Sequence, residues 1–302
     1  MPPASGRPRS PHLGMSLVVL LWGVNFAATK VALPSIPPLA FAAIRFTVGS
    51  ALMAWLLARR GGLERPPPGL GWPLVWLGLL GNTAYQLCFM LGLERTSATN
   101  TALLLAAMPT VVTVSASLLG LEPLTPRRLL ALALATAGVV AVVAGRGFAP
   151  GGDLWGDLLI LAGVLCWAAF TLGLRQVGHR MSALGFAAWT TFTGAPGLLL
   201  AGIPALLETR WGEVTGKAWV GLAYSTTLSF AAAYILYSDA VRRLGASRAV
   251  LYTCATPLVA SAAAMLVLGE RPTLWHGLGA FLIVTGVVLG RTESEVAVAG
   301  ER

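Results

Sequence analysis

A chain of 302 residues that is 56% apolar and only 11% charged, with a mean hydropathy of +0.75, lacks the side chains for a water-facing surface; soluble domains carry about 25% charge. The net charge of +9 comes from cations spread singly and in pairs, so no basic face exists for nucleic acid. Cys88, Cys166 and Cys254 all lie in apolar runs, which suits free thiols among helices and excludes a disulfide framework.

The remaining class is an integral membrane protein, and a spanning helix needs about 20 mostly apolar residues. In chain order the sequence predicts ten: 13–32, 39–58, 72–92, 98–120, 128–145, 155–174, 183–206, 217–239, 247–268 and 274–290. The breaks carry helix-stopping chemistry, as in PSIPP at 34–38, RRGG at 59–62 and PPPG at 66–69. Arg7 and Arg9 before the first run imitate a signal peptide. That run is long enough to span, however, and the pattern continues to the end.

Cations orient the spans. With the N-terminus in the cytoplasm, fourteen Lys and Arg fall on the cytoplasmic side and six on the other. The twenty-first, Arg45, lies inside the second span. Both termini are therefore expected to be cytoplasmic.

The chain also repeats itself. LLWGVNFAATK at 20–30 is echoed by LCWAAFTLGLR at 165–175, and FAAIRFTVG at 41–49 by FAAWTTFTG at 186–194, both at an offset of 145. The offset then becomes 148, relating Pro109 to Pro257, Glu122 to Glu270 and Gly138 to Gly286. Two halves of five helices each must cross the membrane in opposite senses. Secondary transporters use this plan and bind substrate near the midplane, where the halves meet. The expected organisation is a tail at 1–12, a first repeat at 13–147, a second at 148–291 and a tail at 292–302.

Several motifs carry a family resemblance: LWGVNFAATK at 21–30, IRF at 44–46, ERTSATNTALLLAAMPT at 94–110, LLGLEPLT at 118–125, and RRLGASRAVLYTCATPLVASAAAMLVLGERPT at 242–273. With them the chain resembles the EamA-type members of the drug/metabolite transporter superfamily over residues 13–290. The resemblance implies an all-α, multi-pass protein of the bacterial inner membrane, with ten helices in two inverted repeats. It also implies an exporter, since members move amino acids, other metabolites, nucleosides and drugs.

Trp22 and Trp167 lie about ten residues into their spans, roughly 15 Å deep in a core of about 30 Å. Membrane tryptophans favour the wet interfaces, so a midplane pair calls for polar company or a shared cavity. Asn25 and Asn82 are amides at depth, suited to interhelical hydrogen bonds or to substrate. Tyr85 with Gln86, and Tyr234 with Tyr237, place rings and polar tips on the third and eighth spans. Together with the tryptophans they predict an aromatic substrate cavity, with Trp22 and Trp167 on opposite sides of it. Pro109 and Pro257 fall about a dozen residues into their spans. There they are expected to kink the helices and free the carbonyls of Leu105 and Thr253, for gating or for static packing.

Arg45 requires a partner, because a lone charge inside a span costs about 2.5–3.5 kcal/mol by insertion scales. Glu270 is the first candidate and Glu94 the second; a substrate carboxylate is the other. Asp239 has Arg242 and Arg243 one turn on, and Asp153 is placed to cap a helix. Tyr252 suits an interfacial belt.

No span carries a carboxylate at its middle, which disfavours proton antiport built on such a group and cavities for cationic drugs. Neither H-E-x-x-H nor G-x-x-x-x-G-K-[ST] is present, so no metal, nucleotide or other cofactor is expected, nor an enzyme. A channel would want rings of charges or carbonyls, which an inverted repeat does not supply. The leading expectation is an exporter of small metabolites, foremost large neutral or aromatic amino acids, working by alternating access. Cationic drugs or nucleosides are the alternatives. The expected partners are this substrate and membrane lipid, in a monomer or weak dimer.

Overall fold

In a computed structural model, residues 10–59, 61–95, 104–105, 107–144, 153–268 and 274–291 can be described. Every regular element among them is helical. The first helix, α1 (Pro11–Ala32), starts with proline at its first turn, where no N–H is needed. It is followed by α2 (Pro38–Arg59) and α3 (Gly71–Gly78). A π-helical segment (Leu79–Ala84) joins α3 to α4 (Tyr85–Arg95). The first half ends with α5 (Met108–Leu118) and α6 (Pro126–Ala144).

The second half opens with α7 (Leu154–Val177), capped by Asp153, whose carboxylate accepts from the Trp155 N–H at 3.1 Å. Ser182 and Thr215 cap α8 (Ala183–Glu208) and α9 (Gly216–Tyr224) in the same way. A second π-helical segment (Ser225–Ala232) joins α9 to α10 (Ala233–Leu244). Then come α11 (Ala246–Thr253), α12 (Thr256–Leu268) and α13 (Leu274–Arg291).

Six of the described helical stretches are long and apolar enough to cross a membrane: Pro11–Ala32, Pro38–Arg59, Gly71–Gly92, Leu154–Arg180, Ala183–Glu208 and Gly216–Leu244. The expected ninth span is not one helix but two, α11 and α12, which meet at Cys254 and Ala255. The prolines sit differently from the mid-span kinks expected of them. Pro109 is the second residue of α5 and Pro257 the second of α12. A proline in the first turn removes an N–H that has no intrahelical acceptor, so each one starts a helix and breaks no bond within it.

Helix pairing follows a two-fold scheme. Here α2 lies along α8 and α6 along α13, while α4 packs on α7 and α1 on α9 and α10. In addition α1 meets α12, and α5 meets α7. Exchanging the two halves maps this set of pairs onto itself, as two structurally equivalent repeats require. The related glycines Gly138 and Gly286 show the same reciprocity. A Cβ on Gly138 would stand 2.8 Å from the Gly279 carbonyl oxygen, and one on Gly286 would stand 2.6 Å from that of Ala131. Backbones approach closely in membranes where small residues permit it, and here each half supplies one such residue.

Trp72, Trp155, Trp219 and Trp275 are exposed near the first turns of α3, α7, α9 and α13, as aromatic anchors at a bilayer interface would be. Exposed leucines, such as Leu118 and Leu200, cover the flanks. In a bilayer this surface meets lipid and not water.

Candidate functional site

The core is built on aromatic rings drawn from both halves. Trp22 on α1 meets Trp167 on α7 edge to face, with ring centroids 5.9 Å apart at 72°. The two tryptophans therefore touch, instead of facing each other across a cavity as expected. Tyr237 joins both, 5.3 Å from Trp22 and 5.5 Å from Trp167. Tyr85 lies 5.0 Å from Trp167, and Tyr234 6.3 Å from it. Offset and edge contacts of this kind add roughly 0.5–1.5 kcal/mol each beyond burial.

The polar atoms of these rings are held by the helices around them. The Trp22 indole N–H donates to the Ser229 carbonyl oxygen at 3.0 Å, inside the second π-helical segment. Tyr237 and Thr171 share a hydrogen bond of 2.9 Å between their hydroxyls. The Tyr234 hydroxyl is buried with no hydrogen-bond partner.

Both π-helical segments adjoin this cluster, and they occupy corresponding places in the third and eighth spans. Such segments are rare and frequent at functional sites. The first contains Asn82, which is buried and donates through Nδ2 to the Thr190 carbonyl oxygen at 2.8 Å. Its Oδ1 has no partner. Gln86, one turn further on, is also buried. Asn25 is half-buried on α1, with its Oδ1 inaccessible and unpartnered.

Arg45 on α2 stands beside the cluster. Its guanidinium carbon lies 5.5 Å from the Phe230 ring centroid and 5.9 Å from that of Phe46. Among the described residues no carboxylate pairs with it, and its Nε is buried without a partner. Glu270, the first expected partner, lies outside the described residues, as does the side chain of Glu94.

Sequence reasoning missed Phe170, Thr171, Ser229 and Phe230. The repeat offers a signal for Phe170, since the 145-residue offset puts it at the place of Asn25. In the structure it stacks on Tyr234 at 5.7 Å and lies 5.3 Å from Trp167.

A second missed feature lies at the end of the bundle where α1 begins. The Glu122 carboxylate, buried in the loop after α5, accepts from the Ala246 N–H at 2.6 Å, at the N-terminus of α11. Arg128 approaches its other oxygen at 3.4 Å. Gly245 adopts φ +93°, and a Cβ there would meet the carboxylate at 2.6 Å. Only glycine adopts this turn freely and leaves room for the carboxylate. At the same end His12 Nδ1 and the Tyr252 hydroxyl share a bond of 2.7 Å. At the opposite end an open depression of about 370 Å³, lined by Ser35, Glu208 and Arg210 among others, lies at the rim, away from the aromatic cluster.

The comparisons with known proteins agree with this architecture. An uncharacterized transporter of Archaeoglobus fulgidus is 28% identical over 288 residues, covering 92% of this chain and 96% of that protein. The uncharacterized transporter YvbV of Bacillus subtilis is 27% identical over 284 residues, covering 93% and 91%. A probable amino-acid metabolite efflux pump of Escherichia coli is 25% identical over 284 residues, covering 90% and 92%. A solved crystal structure superposes with a TM-score of 0.79 at 22% identity, covering 93% of this chain and 96% of that one; it supports the fold alone. The description of the EamA-like transporter family matches twice, over residues 9–144 and 154–291, once for each half. The chain is a multi-pass membrane transporter that belongs to the EamA-like transporter family.

Proposed function

We propose that this transporter exports small metabolites across the bacterial inner membrane by alternating access, and that its substrates are amino acids with large neutral or aromatic side chains. The observation that carries this reading is the contact between Trp22 and Trp167. Equivalent residues of the two halves meet at the centre of an aromatic set that also contains Tyr85, Tyr234 and Tyr237. Ring faces bind flat or aliphatic side chains through area and stacking, and they attract an ammonium group by about 0.5–2 kcal/mol. Parting the two tryptophans would open a slot between the repeats, closed again by the same contact once the substrate has left. The name of the Escherichia coli relative points to the same substrate class.

The test is uptake into proteoliposomes of labelled phenylalanine, leucine, a purine and a cationic dye, with and without a pH gradient. Saturable phenylalanine and leucine transport, competed by unlabelled amino acid, is expected. Transport of the dye or the purine alone would overturn the reading.

A further inference from the structure

Arg45 is a half-buried cation with no carboxylate beside it among the described residues. Its Nε has no hydrogen-bond partner, and the groups near the guanidinium include the faces of Phe230 and Phe46 and the side chain of Tyr85. Aromatic faces attract a cation but do not accept the directed N–H bonds that a planar guanidinium offers. Such a group matches a carboxylate, which can take two parallel charge-assisted bonds from it. The unfilled valences continue along the same wall. Phe230 packs, tilted by 31° and 5.5 Å between centroids, against Tyr234, whose hydroxyl is unpartnered, and unpartnered oxygens of Asn82 and Ser229 lie in the two π-helical segments. Buried polar atoms are nearly always bonded. Here four such atoms beside an aromatic cluster leave polar positions that a ligand or water can fill.

We propose that Arg45 recognises the carboxylate of the transported molecule. The acceptor oxygens of Asn82 and Tyr234, with the aromatic faces beside them, then receive its ammonium end. Arg45 thereby selects anionic or zwitterionic substrates over amines of the same shape. This inference rests on the reading of the aromatic cluster as the substrate site, and its test separates the two.

Thermal unfolding of the detergent-purified full chain is to be measured with L-phenylalanine, phenylacetate and phenethylamine, for the wild type, Arg45→Gln and Arg45→Lys. Phenylalanine and phenylacetate are expected to stabilise the wild type more than phenethylamine does. Arg45→Gln should weaken both carboxylates about tenfold or more in apparent affinity and leave phenethylamine unchanged. Arg45→Lys, which keeps the charge but not the fork, should retain part of the carboxylate effect.

Stabilisation by phenylacetate but not phenylalanine would uphold Arg45 and overturn the amino-acid reading. A wild type that prefers phenethylamine, or responds to none of the three, overturns the proposal, as does an Arg45→Gln protein with its carboxylate response intact. Should neither variant stay monodisperse, the wild type's ranking of phenylacetate against phenethylamine decides.

Discussion

Glu122 holds the backbone N–H of Ala246 at 2.6 Å and so joins the loop after α5, in the first repeat, to the start of α11 in the second. An anion at a helix N-terminus satisfies orphan donors and the helix dipole together. Arg128 approaches the other oxygen of that carboxylate at 3.4 Å. The bond crosses the interface at which two repeats must move if access is to alternate. We predict that Glu122→Ala lowers stability by about 2–3 kcal/mol, because it strands buried donors, with Glu122→Gln losing less. Denaturant unfolding in detergent measures this; two variants as stable as the wild type would show that the contact carries no energy.

The central tryptophans offer a second prediction. Trp22→Ala and Trp167→Ala should each reduce amino-acid transport severalfold while the protein still inserts and stays monodisperse. Because the two rings touch at 5.9 Å, the double variant should lose less than the two single losses combined, with a coupling of about 0.5–1.5 kcal/mol. Unchanged transport by both single variants would reduce the pair to packing.

The glycines of the α6–α13 contact provide a third. A methyl group at Gly138 or Gly286 meets a backbone carbonyl of the facing helix at 2.8 or 2.6 Å. Backbone cannot swing aside as a side chain can, so the helices must part. Each alanine variant should lose about 1–3 kcal/mol, read as a lower unfolding midpoint. A control alanine at Gly212, where the added methyl group meets nothing, should leave the midpoint in place.

Sidedness supplies the fourth. In a background without Cys88, Cys166 and Cys254, cysteines replacing Ser35 and Arg65 should label from opposite faces of the membrane. An impermeant thiol reagent is expected to reach position 35 in intact cells and position 65 only after lysis. Labelling of both from one face would refute the positive-inside orientation.

Much of this arrangement is legible in the chain itself, because the offset of 145 that relates Trp22 to Trp167 also relates the helices that carry them. Equivalence in sequence becomes contact in space wherever a helix lies near a two-fold axis. The π-helical segments are not legible. LLGNTA and STTLSFAA differ from ordinary helix only in which carbonyl each N–H reaches, and composition does not encode that choice. Pro257 misled for a related reason. Its fixed φ suits a helix start as well as a kink, and the run VLYTCATPLV carries no charge and no glycine where the two helices part. The role of Glu122 depends on a helix that begins 124 residues later, beyond the reach of any local pattern.

The two π-helical segments have a mechanical consequence. Each winds wider than the α-helix around it, so it stores a surplus of chain within an unbroken rod. Tyr85 and Tyr234 follow these segments directly or within two residues and take their bearing from that surplus. Deleting one residue between 79 and 84 would take up the slack, turn all that follows by about 100° about the axis, and swing Tyr85 off Trp167. The change would be visible as altered tryptophan fluorescence. The segments are six and eight residues long and occupy corresponding places in the two halves, so each half carries slack of its own within a continuous helix.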